Sequence, residues 1–101
     1  MNKKARKLIV KHLDLIYTSS VRSSKGFGLQ AISLKLLEEV INLNKMKVED
    51  SNEPLHDFID KYNDMLDELY KSCEATANKV GSKHVSKLTL KTFIYTLKDN
   101  L

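Results

Sequence analysis

The sequence has few of the residues that make turns: three glycines and one proline in 101 residues. An all-β domain needs many turns, and turns are rich in Gly and Pro, so this scarcity argues against that class. It favours a few long helices instead. The chain is also close to the commonest size of a single domain, and we expect residues 1–101 to form one domain.

Cysteine occurs once, at Cys73, which excludes a disulfide within the chain. A lone thiol is typical of a reducing compartment. The sequence starts with basic residues, but the apolar run after them is interrupted by Lys11, His12 and Asp14, unlike a secretion signal. No stretch approaches the roughly 18 apolar residues that indicate a membrane span. We therefore expect a cytoplasmic protein that is not integral to a membrane.

Charge is moderate in amount and uneven along the chain, with 17 basic and 13 acidic residues and a formal net charge of +4. Residues 1–50 carry ten basic and five acidic groups, and residues 51–101 carry seven and eight. This excess is too small to indicate nucleic-acid binding. The basic segments also lack the interleaved aromatic residues of single-strand binders. We expect no nucleic-acid partner.

Apolar residues recur at helical spacing along most of the chain. The first helix is predicted over residues 3–17. The segment from Thr18 to Gly26 has no such period and contains four serines, which favours a loop. A second helix is predicted over residues 27–45, with Ile32 in its apolar stripe.

The third predicted helix, residues 54–79, has the clearest apolar pattern, which extends to Val80. Asn52 suits its N-cap, and Pro54 suits its first turn, where the missing N–H costs nothing. Gly81 suits a C-terminal stop. The pattern also allows a kink or an end near Thr76.

The last helix is predicted over residues 89–100, with Thr89 or Ser86 as its cap. Four amphipathic helices must bury their apolar stripes on one another. An antiparallel four-helix bundle is the simplest arrangement that does so. The predicted fold class is therefore all-α.

Residues that usually carry catalysis or bind metals are few. The three histidines have no histidine partner at the intervals of three or four that place two imidazoles on one helix face. Cys73 falls on the predicted buried stripe, where a thiol packs as a small apolar group. Gly26 and Gly28 precede a helix without the strand that a phosphate-binding loop requires. We expect no enzymatic activity, no metal and no cofactor.

Two charge patterns are candidate interaction sites. Asp57, Asp60, Asp64 and Asp67 share one face of the third predicted helix, which is either a solvated face or a partner site. The last loop and helix are basic and, with the N-terminal lysines, could meet an acidic partner or an anionic membrane surface. The candidate partner-binding residues are Lys83, His84, Lys87, Lys91, Tyr95 and Lys98.

The layout of the sequence resembles the small cytosolic immunity proteins that protect lactic-acid bacteria against pediocin-like (enterocin A type) bacteriocins. The likeness covers nearly the whole chain. It is carried by the basic amphipathic start Lys3–Val10, the polar break before the Leu-rich segment Ile32–Leu43, the Pro54-Leu55 opening of the third helix, and the basic loop before Leu88-Thr89.

This resemblance implies an antiparallel four-helix bundle in the cytoplasm of the bacteriocin producer. Proteins of this family are understood to act on the toxin-bound membrane receptor, the mannose phosphotransferase permease, and to stop it leaking. The C-terminal half is credited with the choice of bacteriocin, which implies that role for Val80–Leu88 and Thr89–Leu101 here.

Two alternatives remain open. Residues 54–98 resemble the second half of a histone fold, in which a long helix, a short basic loop and a further helix follow one another. However, the first half of the chain supplies two helices where that fold has one short helix, and the acidic third helix suits DNA poorly. The other alternative is a small regulatory or phage-encoded protein with a helical interaction face.

Overall fold

The computed structural model describes residues 3–26, 31–47, 49 and 53–101. Within them the chain is predominantly helical, as predicted, and forms five helices and an unpredicted sheet of two short strands. In chain order the elements are α1 (Lys3–Gly26), β1 (Ala31–Ser33), α2 (Leu34–Asn44), α3 (Glu53–His56), α4 (Ile59–Lys79), β2 (His84–Ser86) and α5 (Lys87–Asp99).

The first helix continues far beyond the predicted residue 17, so the prediction of a loop from Thr18 to Gly26 is wrong. Its buried side chains recur at intervals of three and four along almost its whole length: Ala5, Ile9, Leu13, Ile16, Ser20 and Ser24. Two serines thus continue the inner stripe that the apolar residues begin. The helix persists because this face stays covered by the core, which outweighs the low helix propensity of serine.

The two strands pair antiparallel as a short ribbon, with Ile32 opposite Val85 at its centre. The predicted helix over residues 27–45 is therefore wrong at 31–33, and residues 27–30 lie outside the described residues. Ile32 fits a helical stripe in the sequence, yet it is fully buried on the inner side of the ribbon. The helix itself begins at Leu34.

Both helices that leave the ribbon begin with a serine cap. The hydroxyl of Ser33 accepts a hydrogen bond from the N–H of Leu36, and that of Ser86 accepts one from the N–H of Thr89, each at 3.0 Å. These bonds satisfy one free donor at each helix start. Of the two caps predicted for the last helix, Ser86 is confirmed and Thr89 is wrong.

The third predicted helix is divided between α3 and α4 at residues 57–58, and the predicted N-cap Asn52 lies outside the described residues. The alternative of a helix end near Thr76 is wrong, because α4 runs unbroken to Lys79. The stop at Gly81 is confirmed, with a φ of 66°. Its N–H donates to the Asn78 carbonyl at 3.1 Å, which belongs to the glycine-terminated turn that commonly ends helices.

The four long helices surround the core so that each contacts two others: α1 contacts α2 and α5, and α4 contacts the same two helices. The ribbon joins one end of all four, since α1 and α4 run toward it and α2 and α5 run away from it. Helices that contact one another therefore alternate between running toward the ribbon and running away from it. The largest fully buried side chains include Tyr62, Ile9, Leu13, Ile16, Ile32, Leu37, Leu55, Leu66, Leu69 and Leu90.

Candidate partner-binding surface

The six residues predicted to bind a partner lie on one continuous stretch of the structure, from the loop before β2 to the end of α5. Lys83, His84, Lys91 and Tyr95 are exposed, and Lys87 and Lys98 are partly buried. Lys98 also forms an ion pair within the chain.

Lys98 connects the last helix to the first. Its ammonium forms an ion pair with Asp14 on α1, and the same Nζ lies 5.1 Å from the centroid of the Tyr95 ring. The charge of Lys98 is thereby shared between a carboxylate and an aromatic face. Of these two contacts, only the ion pair joins α5 to α1, since Tyr95 and Lys98 both belong to α5.

Sequence reasoning missed two apolar residues of this surface. Leu88 is 72% exposed and Val80 is 79% exposed. The sequence placed Val80 on the core stripe of the third helix, but it follows the end of α4 and turns outward. Leu88 falls outside the stripe formed by Leu90, Ile94 and Leu97. This position off the apolar stripe is the feature of the sequence that could have identified Leu88 as exposed. Large exposed apolar side chains beside lysines are typical of interaction surfaces.

Charge is segregated between the helices. The first helix carries seven basic residues and one acidic residue. The segment 79–101 carries five lysines and one aspartate. By contrast, α4 carries five acidic and three basic residues. Since α1 packs against α5, the N-terminal cations and those of the last helix lie on adjacent helices, and we call these two helices the basic side of the molecule.

Two clefts lie on the flank of α1, and both are basic. One, of about 280 Å³, is lined by Tyr17, Thr18, Val21, Arg22 and Lys25. The other, of about 440 Å³, is lined by Lys3, Arg6, Lys7 and Val10. Neither lining contains a carboxylate, a histidine or a thiol. Their chemistry suits binding of an anionic group rather than acid–base or nucleophilic catalysis.

The acidic face of α4 has a structural contact of its own. Asp67 forms an ion pair with Lys45 at 2.6 Å, just after α2 ends. One turn earlier, the Asn63 side chain accepts a hydrogen bond from the N–H of Met46 at 3.0 Å and donates one to its carbonyl at 2.8 Å. This part of α4 therefore holds the segment that follows α2. Asp57, Asp60 and Asp64 are exposed.

Among the residues that the structure describes, the buried titratable groups do not converge on a reactive site. Cys73 is fully buried, as predicted, and burial raises the pKa of its thiol to about 11, which keeps it protonated at neutral pH. Burial also raises the pKa of Tyr62 to about 12, and its hydroxyl donates to the Asn44 carbonyl at 3.2 Å. The His12 ring lies edge-on to Tyr62 at 5.6 Å. Burial, with a smaller contribution from Lys11, lowers the pKa of His12.

The order helix, strand, helix occurs twice, in α1–β1–α2 and in α4–β2–α5. Helix–loop–helix motifs bind calcium when a 12-residue loop supplies several carboxylates. The twelve residues Asn78–Thr89 contain no Asp or Glu and three lysines, so this donor set does not fit calcium. Across the described ranges, no three His, Cys, Asp or Glu side chains are grouped as metal ligands.

No protein-family model matches the chain, and no significant match exists among curated proteins or solved structures. In the part of the chain that the structure describes, none of the helices combines the length and apolar character needed to cross a lipid bilayer.

Proposed function

We propose that the chain is a non-catalytic immunity protein that protects a cell from a pediocin-like bacteriocin. It acts from the cytoplasm on the membrane receptor that has bound the toxin, the mannose phosphotransferase permease. The observation that supports a binding role is the basic side formed by α1 and α5, on which Leu88 and Tyr95 stand exposed. The choice of bacteriocin immunity among binding roles comes from the sequence resemblance.

The proposal includes an antiparallel four-helix bundle, to which α3 and the β1–β2 ribbon are additions. The alternation of direction between contacting helices supports it. In such an arrangement the outer surface of each long helix is free for a partner while its inner stripe is buried. For α5 the buried residues are Leu90, Ile94 and Leu97.

The working surface in this proposal is the outer side of α5 with the loop before it. Lys83, His84 and Lys91 supply polar and charged contacts, and Tyr95, which is 53% exposed, supplies an aromatic anchor of the kind enriched at binding hot spots. Lys87 lies partly buried in the first turn of α5. The C-terminal residues that the resemblance connects with the choice of bacteriocin include this surface.

Protection of living cells tests the proposal directly. The protein is produced in the cytoplasm of a strain sensitive to pediocin-like bacteriocins, and survival is measured over a panel of these toxins. We expect protection against at least one toxin. A well-folded protein that accumulates in the cells and protects against none of them would contradict the proposal.

Matched variants then locate the working surface. Lys83→Gln with Lys91→Gln should reduce protection, whereas Lys61→Gln with Lys71→Gln, which removes the same charge from exposed sites on α4, should not. Tyr95→Ala should also reduce protection. Equal losses in both lysine pairs would show that net charge, not this surface, matters.

The histone-like alternative predicts an obligate pair of chains. The apolar stripe of α5 is already buried within one chain, which gives this alternative less support. Sedimentation at low concentration separates the two ideas: a stable monomer contradicts the histone-like pairing and is compatible with an immunity protein.

A further inference from the structure

The ribbon gathers one end of each of the four long helices, and each of these ends carries at least one cation. We define the ribbon end as residues 22–26, 31–37 and 75–90, which are the two strands, their loop and about one turn of each adjoining helix. It contains six cations, namely Arg22, Lys25, Lys35, Lys79, Lys83 and Lys87, together with His84. It contains no Asp or Glu.

These cations come from two distant parts of the sequence, residues 22–35 and 79–87, and the fold brings the two parts together. Lys25 is in the last turn of α1, Lys35 in the first turn of α2, and Lys79 in the last turn of α4. The N–H of Leu34 donates to the carbonyl of Lys83 at 2.9 Å, which joins the start of α2 to the loop before β2. The ribbon end is thus a positively charged cap on an elongated molecule of 40 × 25 × 18 Å.

Two large aliphatic side chains protrude from the same cap. Val80 and Leu88 are the exposed apolar residues nearest the ribbon, at 79% and 72% exposure. Aliphatic side chains surrounded by lysines can enter the headgroup region of a bilayer while the ammonium groups contact lipid phosphates. From this combination we propose that the ribbon end docks the protein end-on to an anionic phospholipid surface.

Charge complementarity and side-chain type favour a lipid surface over an acidic protein. Binding hot spots in protein interfaces are enriched in Trp, Tyr and Arg. The ribbon end has no Trp, Tyr or Phe and a single arginine among its described residues. Within the described part of the chain, only Arg22 and Lys25 share a cleft, and the other cations come from three further helix ends and the loop before β2; mobile lipid headgroups can adapt to such a distribution.

This inference rests on the proposed function only in that both use the basic side of the molecule. End-on docking would bring the outer side of α5, which begins at the ribbon with Lys87, close to a membrane receptor. The lipid contact requires no bacteriocin and no receptor, so it can be measured separately.

Vesicle cosedimentation with the full chain tests the docking. The probes are vesicles of phosphatidylglycerol mixed with phosphatidylcholine, and vesicles of phosphatidylcholine alone. We expect binding to the first that weakens as salt is raised, and little binding to the second. Equal binding to both kinds of vesicle, or no binding to the anionic ones at low salt, would overturn the proposal.

Matched variants locate the contact. Each lysine near an anionic surface contributes about fivefold in partitioning, so Lys79→Gln with Lys83→Gln should weaken binding about 25-fold. The control Lys61→Gln with Lys71→Gln changes the net charge equally on α4 and should have a much smaller effect. Equal losses in both pairs would overturn the end-on orientation and leave only a general charge effect.

A second pair of variants tests the aliphatic contact. Leu88→Gln should weaken binding about tenfold or more, because it removes an apolar side chain that the bilayer would bury. Leu43→Gln is the control, since Leu43 is 85% exposed near the opposite end of α2. A protein that protects cells but ignores anionic vesicles overturns the docking alone. A protein that binds the vesicles but never protects overturns the immunity role alone.

Discussion

Ile32 and Val85 lie opposite each other in the antiparallel ribbon, and both side chains are buried, at 0% and 4% exposure. They belong to the main core, so the ribbon is fixed to the helices by its inner face. The ribbon therefore determines where four helices meet, and with them the basic cap. A weakened ribbon should affect both stability and the surface.

Truncation of Ile32 should be costly. We expect Ile32→Ala to lower the free energy of unfolding by about 2–5 kcal/mol, because it leaves a cavity beneath the ribbon. Leu43→Ala, at a site that is 85% exposed, should change it by less than about 0.5 kcal/mol. Denaturant unfolding measures both. A small effect of Ile32→Ala would indicate that the strands are not anchored to the core.

We also expect the effects of truncating Ile32 and Val85 on stability to be coupled. The double variant Ile32→Ala with Val85→Ala should lose less stability than the sum of the single variants, since the second truncation enlarges a cavity that already exists. Additive losses would mean that Ile32 and Val85 do not share a packing site, contrary to the register observed.

Much of the helical structure is predictable from local signals. Gly81 ends α4 and Ser86 starts α5, and each acts through a conformational preference or a hydrogen bond within a few residues. The ribbon is not predictable in this way, because strands of three residues are too short to establish an alternating pattern. Ile32 consequently fits a helical stripe and a strand equally well.

The candidate partner-binding surface was predictable only in part, because some of its features depend on contacts between residues that are distant in the sequence. The basic character of the last loop and helix is visible in the sequence. The packing of α5 against α1 depends on contacts such as that between Asp14 and Lys98, two residues that are separated by 84 positions. The outward position of Val80 depends on where α4 ends, and a helical wheel that continues through the end of the helix places this residue in the core.

Replacement of a buried serine of α1 by alanine should raise the free energy of unfolding, whereas most substitutions of buried residues lower it. The hydroxyls of Ser20 and Ser24 are buried and form no hydrogen bond within the described residues. A buried hydroxyl without a partner costs about 1–3 kcal/mol in lost hydration. Removal of the group should therefore stabilise the protein. We expect Ser20→Ala to raise the free energy of unfolding by about 1 kcal/mol or more, including a small gain in helix propensity.

Ser19 provides the matched control, because it is exposed on the same helix. Ser19→Ala should give only the propensity gain, about 0.5 kcal/mol or less. Thermal or denaturant unfolding of both variants gives the comparison. If Ser20→Ala is no more stable than Ser19→Ala, the Ser20 hydroxyl must have a partner in solution.

Gly81 should tolerate substitution only at the expense of backbone strain. Its φ of 66° is in the left-handed region, and a Cβ placed there would meet no atom within 4 Å. The cost of Gly81→Ala is therefore purely conformational, about 1 kcal/mol or somewhat more. Gly81→Asn should cost less, since Asn adopts this conformation more readily. Equal losses for Ala and Asn would contradict a purely conformational cause.

His12 should make stability depend on pH in the weakly acidic range. Burial lowers its pKa below the usual 6.5, so the folded protein keeps the imidazole neutral at pH values where the unfolded chain has taken up a proton. Above about pH 6.5 the imidazole of His12 is neutral in the folded and in the unfolded chain. His12 should therefore not make the free energy of unfolding depend on pH in that range. As the pH falls from 6.5 toward the lower folded pKa, the unfolded state binds more protons and stability should decrease.

Comparison with His12→Gln isolates this contribution. Between about pH 6.5 and 5, above the ordinary range of carboxyl titration, the loss of stability should be smaller in His12→Gln than in the unchanged protein. An NMR titration of the His12 ring protons measures the folded pKa directly. A value at or above 6.5 would remove the cause, because the ring beside Tyr62 would then accept a proton as readily as in the unfolded chain.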